Sequence, residues 1–227
     1  ADYVWNISGR ISAVRKEQRV SLEKNLVVPV GVELEKIKLC TEGKRDANRI
    51  VAVSHLTESK GIQLIIDVMA ELKVMLPDVR LDIIGTGPYE SALREMAEQK
   101  DVTGCVRFLG PMQHDDLFAY LPRCGIALAT YTEDTYNITY YADPTKPKEY
   151  LACGLPVIIT RVPWIAELIE KRPMGVAINY NRDELRNAIV KLLSDRQFYE
   201  TCRKNALEYA ATLSWDGIYD KAFAEIQ

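Results

Sequence analysis

Short apolar runs alternate with amphipathic stretches along most of this 227-residue chain, and that alternation restricts the fold more than any other feature. The apolar runs are Arg49 to Ser54, Val79 to Ile84 (closed by Gly85), Val106 to Leu109, Gly125 to Thr130, Pro156 to Thr160 and Gly175 to Asn179. Several are apolar almost throughout, as strands covered on both faces should be. Between them, Lys60 to Met75 carries Ile62, Ile65, Ile66, Met69, Leu72 and Met75 at helical spacing, and Pro77 ends it. Tyr89 to Lys100, Asp115 to Leu121 and Trp164 to Glu170 read as further helices. Asp183 to Leu193, Arg196 to Ala211 and Ser214 to Ile226 form a helical tail. Strands alternating with helices predict an α/β fold: a Rossmann-like parallel sheet flanked by helices. Ahead of it, Asp2 to Ile7 reads as a strand, Ser8 to Glu17 as a helix and Asn25 to Pro29 as a second strand; residues 36 to 47 read as a loop.

Composition removes several classes. A net charge of −3 lacks the footprint of a general nucleic-acid binder, so an anion site must be built locally. No apolar run approaches a bilayer span, and no secretory signal opens the chain. The five cysteines are scattered, with neither metal-clip nor redox spacing, and read as small buried residues in a reduced cytoplasm. Two histidines, His55 and His114, and no Asp-x-Asp triplet argue against a metal centre. The chain starts at Ala1, in what reads as the middle of a fold.

Three segments carry chemistry. His55 and Lys60 follow the Arg49 to Ser54 strand at a strand-to-helix turn, where open parallel sheets hold ligands. Cations are disfavoured at helix N-termini, which counts against an idle Lys60. Gly85-Thr86-Gly87-Pro88 follows a buried strand; its glycines permit close backbone approach, and Pro88 suits a first helical position. The third segment opens a helix. Pro147 is tolerated only in a first turn, which puts Thr145 at the N-cap and Lys146 at the first position. The free N–H groups of that turn point at an anion, and Lys146 adds a full charge beside them. Lys148 reads as facing water, and Trp164, Leu168 and Phe108 as core.

Taken in order, residues 53 to 72, 81 to 121 and 143 to 169 resemble the C-terminal domain of GT-B glycosyltransferases, in particular the large retaining group 1 family of glycosyl- and mannosyltransferases. The resemblance implies one half of a GT-B fold, binding a UDP- or GDP-sugar as substrate with no further cofactor and no metal. Residues 1–30 would be the tail of an N-terminal domain plus linker, 31–212 the donor-binding domain, and 213–227 a helix packing on the missing N-terminal domain. That missing half would bring a glycan or lipid-linked acceptor and any peripheral association with a membrane; the fragment alone would be inactive. Without it, the opening strand and the final helix would lose their packing partner, which predicts self-association as a homodimer.

The same likeness assigns roles. Lys60 and Lys146 are the expected catalytic residues, stabilising the departing diphosphate. His55 stands where the family has an arginine. Gly85 and Gly87 lie beside the nucleotide, Met112 at its base and Glu149 on its ribose hydroxyls, where a two-oxygen acceptor suits a vicinal diol. The family's other acid falls on Tyr141, so Glu133, Asp134 or Asp143 would take its place, and Thr145 opens the anion-facing turn. A long loop, Thr130 to Ala142, sits where the family recognises its sugar. The implied reaction is metal-independent, retaining sugar transfer to an acceptor hydroxyl. The alternatives are a nucleotide-sugar epimerase of the same fold and a non-catalytic nucleotide-binding or assembly module.

Overall fold

A computed structural model describes residues 3–18, 25–40, 43–132 and 138–226. The chain opens with β1 (Val4–Asn6), α1 (Gly9–Glu17) and β2 (Asn25–Val27), and β1 and β2 pair in parallel. The main sheet follows: β3 (Arg49–Val53), α2 (Ile62–Met75), β4 (Arg80–Ile84), α3 (Glu90–Gln99), β5 (Val106–Gly110), α4 (His114–Tyr120) and β6 (Ile126–Ala129). It continues with α5 (Thr145–Ala152), β7 (Val157–Thr160), α6 (Ile165–Lys171) and β8 (Gly175–Ile178), then α7 (Arg182–Ser194), α8 (Arg196–Ala210) and α9 (Trp215–Ala224).

The six main strands are parallel in the order β5-β4-β3-β6-β7-β8. Strand order reverses between β3 and β6, so the loops leaving these two strands diverge and open a crevice at the carboxyl edge. Burial explains why the strands lack a period-two polarity. Ile50 and Ala52 of β3 face one apolar layer with Ile126, Leu128 and Ile158; Val51 faces the other with Ala127, Ala129, Val157 and Ile159. Helices α2, α3 and α7 cover the first layer and α4, α5 and α6 the second, while α8 contributes to both. Helix α2 alone buries seven apolar side chains, each worth about 1.5–3 kcal/mol when fully buried, and so fixes the turn that leads into it.

A buried charge interrupts the sheet. Asp82 of β4 has no exposure, and Arg107 of β5 grips it with Nε at 2.7 Å and Nη2 at 2.9 Å. The Tyr120 hydroxyl donates to the same carboxylate; burial, then this neighbour, pushes the phenol up to about 12. The bidentate pair spans adjacent strands and keeps the buried carboxylate satisfied.

The opening strand and the final helix pack on each other and still expose apolar surface. They meet each other: Trp5 lies 6.2 Å from Tyr219 and 5.8 Å from Phe223, ring centre to ring centre. Val28, Ile218 and Ala222 form a small core beneath them. Trp5, Val27 and Phe223 remain 41%, 49% and 53% exposed. The chain passes between this cluster and the main sheet twice, side by side: Val32 N–H donates to Leu213 O at 2.8 Å and Val32 bridges to Ser214.

Candidate functional site

The crevice at the strand-order reversal holds a cleft of about 320 Å³, a size that suits a small ligand. Its β3 side comes from Val53, Ser54 and His55, its β6 side from Tyr131, and its far wall from Thr145, Lys146 and Glu149 at the start of α5. Lys60 lies in the same lining.

Lys60 is placed by a single 3-10 turn, Glu58–Lys60, ahead of α2. Gly61 ends that turn at φ +69°, and a Cβ there would lie 1.5 Å from the Thr130 carbonyl oxygen. Only glycine fits, because the β6 backbone runs directly against it. Thr130 Oγ1 donates to Gly61 O at 2.9 Å and Thr132 N–H to Ser59 O at 3.1 Å, so the two divergent loops are tied across the crevice. The Lys60 ammonium donates to Thr139 Oγ1 at 3.3 Å and lies 5.4 Å from the Tyr131 ring centre. Desolvation holds its pKa below the usual lysine value. A half-buried cation with no carboxylate bonded to it among the described residues is poised for an anion.

His55 is anchored on the opposite wall, its Nδ1 2.9 Å from Thr86 O. A carbonyl only accepts, so Nδ1 carries a proton, and the neutral ring offers Nε2 as an acceptor. The ring gives a phosphate a donor at Nε2 only when protonated.

Helix α5 begins one residue earlier than its sequence implies. Pro144, at φ −69° and ψ 125°, takes the N-cap; Thr145 is the first helical residue and makes no side-chain cap. Pro has the extended backbone a cap needs, and the shift leaves Pro147 still inside the first turn. The N–H groups of Thr145 and Lys146 remain in that turn. Glu149, nearly buried, accepts from Lys146 Nζ at 2.8 Å on Oε2, and His114 Nε2 lies 3.4 Å from its Oε1. Tyr150, fully buried behind it, pins α5 to β3: Val53 N–H donates to its hydroxyl at 2.7 Å.

The structure gives Asp143 a different task from the expected donor contact. It is buried, and its oxygens are taken by Lys148 Nζ, by Val30 N–H at 2.6 Å and by Trp164 Nε1 at 3.2 Å. Lys148, expected in water, has no exposure; it also donates to Val30 O at 2.7 Å. Desolvation lowers its pKa, against which Asp143 raises it. The cause is the segment around Val30, which covers this side of α5 and whose backbone groups need partners. Trp164, read as core, supplies one of Asp143's donors.

Gly85 and Gly87 stand apart from the cleft lining. A Cβ on Gly85 would lie 1.8 Å from Ser54 O, and one on Gly87 2.4 Å from Leu56 O. Their smallness lets the β4 loop pack on the β3 loop, carrying the Thr86 carbonyl to His55. Met112 packs on the layer of Leu117 and Phe118 and also lies outside that lining. Glu133 and Asp134 fall outside the described residues. Sequence reasoning missed His114 and Glu33, which sit 2.9 Å apart beside Glu149. Lys36, bonded to Glu33, holds that carboxyl below its usual range.

Among the described residues, no three His, Cys, Asp or Glu side chains gather as metal ligands, and no helix is long and apolar enough to cross a membrane. Cys124, Cys153 and Cys202 are buried thiols, with Cys124 pushed up to about 12 by burial.

An open parallel sheet with cations and a carboxylate at its reversal point defines an α/β ligand-binding domain. The chain belongs to the family Glycosyl transferases group 1, whose profile matches residues 38–209. Alpha-monoglucosyldiacylglycerol synthase of Streptococcus pneumoniae is 26% identical over 190 residues, covering 78% of this chain and 41% of that protein. The phosphatidylinositol N-acetylglucosaminyltransferase gpi3 subunit of Schizosaccharomyces pombe is 28% identical over 185 residues, covering 82% of this chain and 38% of that protein. The chain therefore spans less than half of either relative. Among solved structures, Anabaena Alr3699/HepE in complex with UDP and glucose superposes with a TM-score of 0.81 over 100% of this chain and 63% of that one, at 20% identity. The fold is that of a GT-B glycosyltransferase domain.

Proposed function

We propose that this chain is the donor-binding half of a glycosyltransferase that moves a sugar from a nucleoside diphosphate sugar to an acceptor hydroxyl. The observation that carries the reading is the convergence of Lys60, Lys146 and Glu149 on one cleft at the sheet's reversal point. In the transfer, the bond from the anomeric carbon to the diphosphate oxygen breaks, a bond to the acceptor oxygen forms, and the acceptor hydroxyl's proton passes to the departing diphosphate or to solvent. The departing diphosphate gains a negative charge as the bond breaks. The Lys60 and Lys146 ammonium groups and the free N–H groups of the first turn of α5 stabilise it there. Charge neutralisation by lysines makes the reaction metal-independent in this reading, and family likeness makes it retaining. Glu149 accepts from the ribose hydroxyls. Residues 1–30 and 213–227 belong with the acceptor-binding half.

A structural neighbour solved with UDP and glucose supports a nucleoside diphosphate ligand. The names of two relatives, one a monoglucosyldiacylglycerol synthase and the other part of a phosphatidylinositol N-acetylglucosaminyltransferase, support a lipid-linked acceptor and peripheral work at a membrane.

Thermal unfolding of this chain with saturating UDP, GDP or ADP, each with EDTA, tests the reading. Ligand at a hundredfold over its Kd adds about 2.7 kcal/mol, roughly 5–10 °C for a domain of this size. A rise with one nucleotide, abolished by Lys60→Ala and by Lys146→Ala, is the expected result and identifies the base. No rise with any of the three overturns it.

A further inference from the structure

We propose that His114 is a positioning residue for donor recognition: it holds Oε1 of Glu149 from the side of residues 33–36, leaving Oε2 for the ribose diol. The inference rests on the ribose reading of Glu149 and adds to it the group that orients the carboxylate.

The geometry is a chain of close polar contacts running from residues 33–36 into the cleft. Lys36 Nζ meets Glu33 Oε1 at 3.0 Å, and Glu33 Oε2 meets His114 Nδ1 at 2.9 Å. His114 Nε2 then meets Glu149 Oε1 at 3.4 Å, and Glu149 Oε2 meets Lys146 Nζ at 2.8 Å. The imidazole packs against Phe118 with the rings tilted 47° and their centres 4.2 Å apart, which restricts its movement. Asp115 faces the same segment from the neighbouring position, 3.8 Å from Lys36.

A carboxylate can only accept, so in the contact with Glu149 the proton sits on His114 Nε2, while Nδ1 faces Glu33. Glu149 is 4% exposed and, among the described residues, is held by His114 and Lys146. A diphosphate drawing Lys146 away would leave Glu149 buried with His114 alone. A buried carboxylate without a donor is costly and has no fixed direction. His114 removes both problems: it keeps one oxygen satisfied while the other is released toward the hydroxyls. Diphosphate and ribose would then be read by a single exchange, Lys146 passing from Glu149 to phosphate as the diol takes the vacated oxygen.

The test compares UDP with 2′-deoxy-UDP, and GDP with 2′-deoxy-GDP, by titration calorimetry on this chain. Wild type is expected to prefer one ribonucleotide about tenfold or more over its deoxy form, the scale of a hydrogen bond to a charged group. His114→Ala should reduce that ratio to about threefold or less. Glu33→Gln, which touches no nucleotide, should lower it in the same direction, and His114→Gln, which retains a side-chain donor, should recover part of it. A His114→Ala protein that melts earlier but keeps the full ratio overturns the positioning role and leaves the ribose reading standing. A wild type that binds both forms equally, or binds neither, overturns the ribose reading and this proposal with it.

Discussion

Replacing Lys148 by methionine removes the ammonium that Asp143 and the Val30 carbonyl share, while keeping most of the length of the side chain. Both charged groups have no side-chain exposure, so the pair is buried in full. Breaking such a pair by removing one partner costs about 3–5 kcal/mol, because the charge left behind has lost its neutralising neighbour. Asp143 would keep Val30 N–H and Trp164 Nε1, which places the loss nearer the lower figure. At roughly 2–4 °C per kcal/mol for a chain of this size, Lys148→Met should lower Tm by about 6–12 °C at neutral pH. Differential scanning calorimetry is the assay. The double variant Asp143→Asn/Lys148→Met leaves no buried charge and should regain most of that loss, since a neutral replacement of a buried pair is often tolerated. A single variant within about 2 °C of wild type would refute the argument, as would a double variant that falls by the sum of the two single losses.

Gly61→Ala should unfold the crevice or prevent folding, because its Cβ would stand 1.5 Å from Thr130 O at a left-handed φ of +69°; circular dichroism and yield of folded protein report it. Lys60 gives opposite pH slopes. Its folded pKa lies below the unfolded one, so between the two values the unfolded chain holds more protons and the free protein gains stability as pH rises. Nucleotide affinity should fall across the same window as the ammonium is lost, and Lys60→Arg, always charged, should flatten that fall in an alkaline calorimetric titration.

Much of the fold is legible because doubly covered strands write themselves as apolar runs. The runs Arg49 to Ser54 and Val79 to Ile84 match β3 and β4 to within one residue. The lining of the cleft is legible where the βα turns decide position: His55 and Lys60 follow β3, Lys146 lies in the first turn of α5 and Glu149 one turn further on. What escaped depends on contacts between distant segments. Lys148 looks like a solvent-facing lysine on α5 until Val30, 118 residues earlier, packs over it. His114 and Glu33 carry no local signal, because their meaning lies in the carboxylate they flank from two separate segments. The glycines of the Gly85 loop signal a close approach, but the sequence does not say that the approaching group is the chain's own Ser54 carbonyl. Thr145 lost the N-cap to Pro144 because either residue can take the extended backbone that a cap requires.

The double passage of the backbone beside Val32 and Ser214 has a mechanical consequence. Two adjacent covalent strands form a narrow strap, hard to stretch. One strand is riveted at Val30, whose N–H and C=O both engage the Asp143–Lys148 pair. The other is wedged: a Cβ on Gly31 would reach within 2.6 Å of the Trp215 ring, so this indole fills the strap's inner side. Bending across the strap would have to pull a charged pair apart or crush the indole. The cluster is also tied to the main domain beside the strap, because Ser8 bonds the Tyr141 carbonyl and Arg10 of α1 bonds Val162 O at 2.7 Å and Glu167 Oε1 at 3.1 Å, so β1, β2 and α9 are braced at separate points against the side of the fold that carries Glu149.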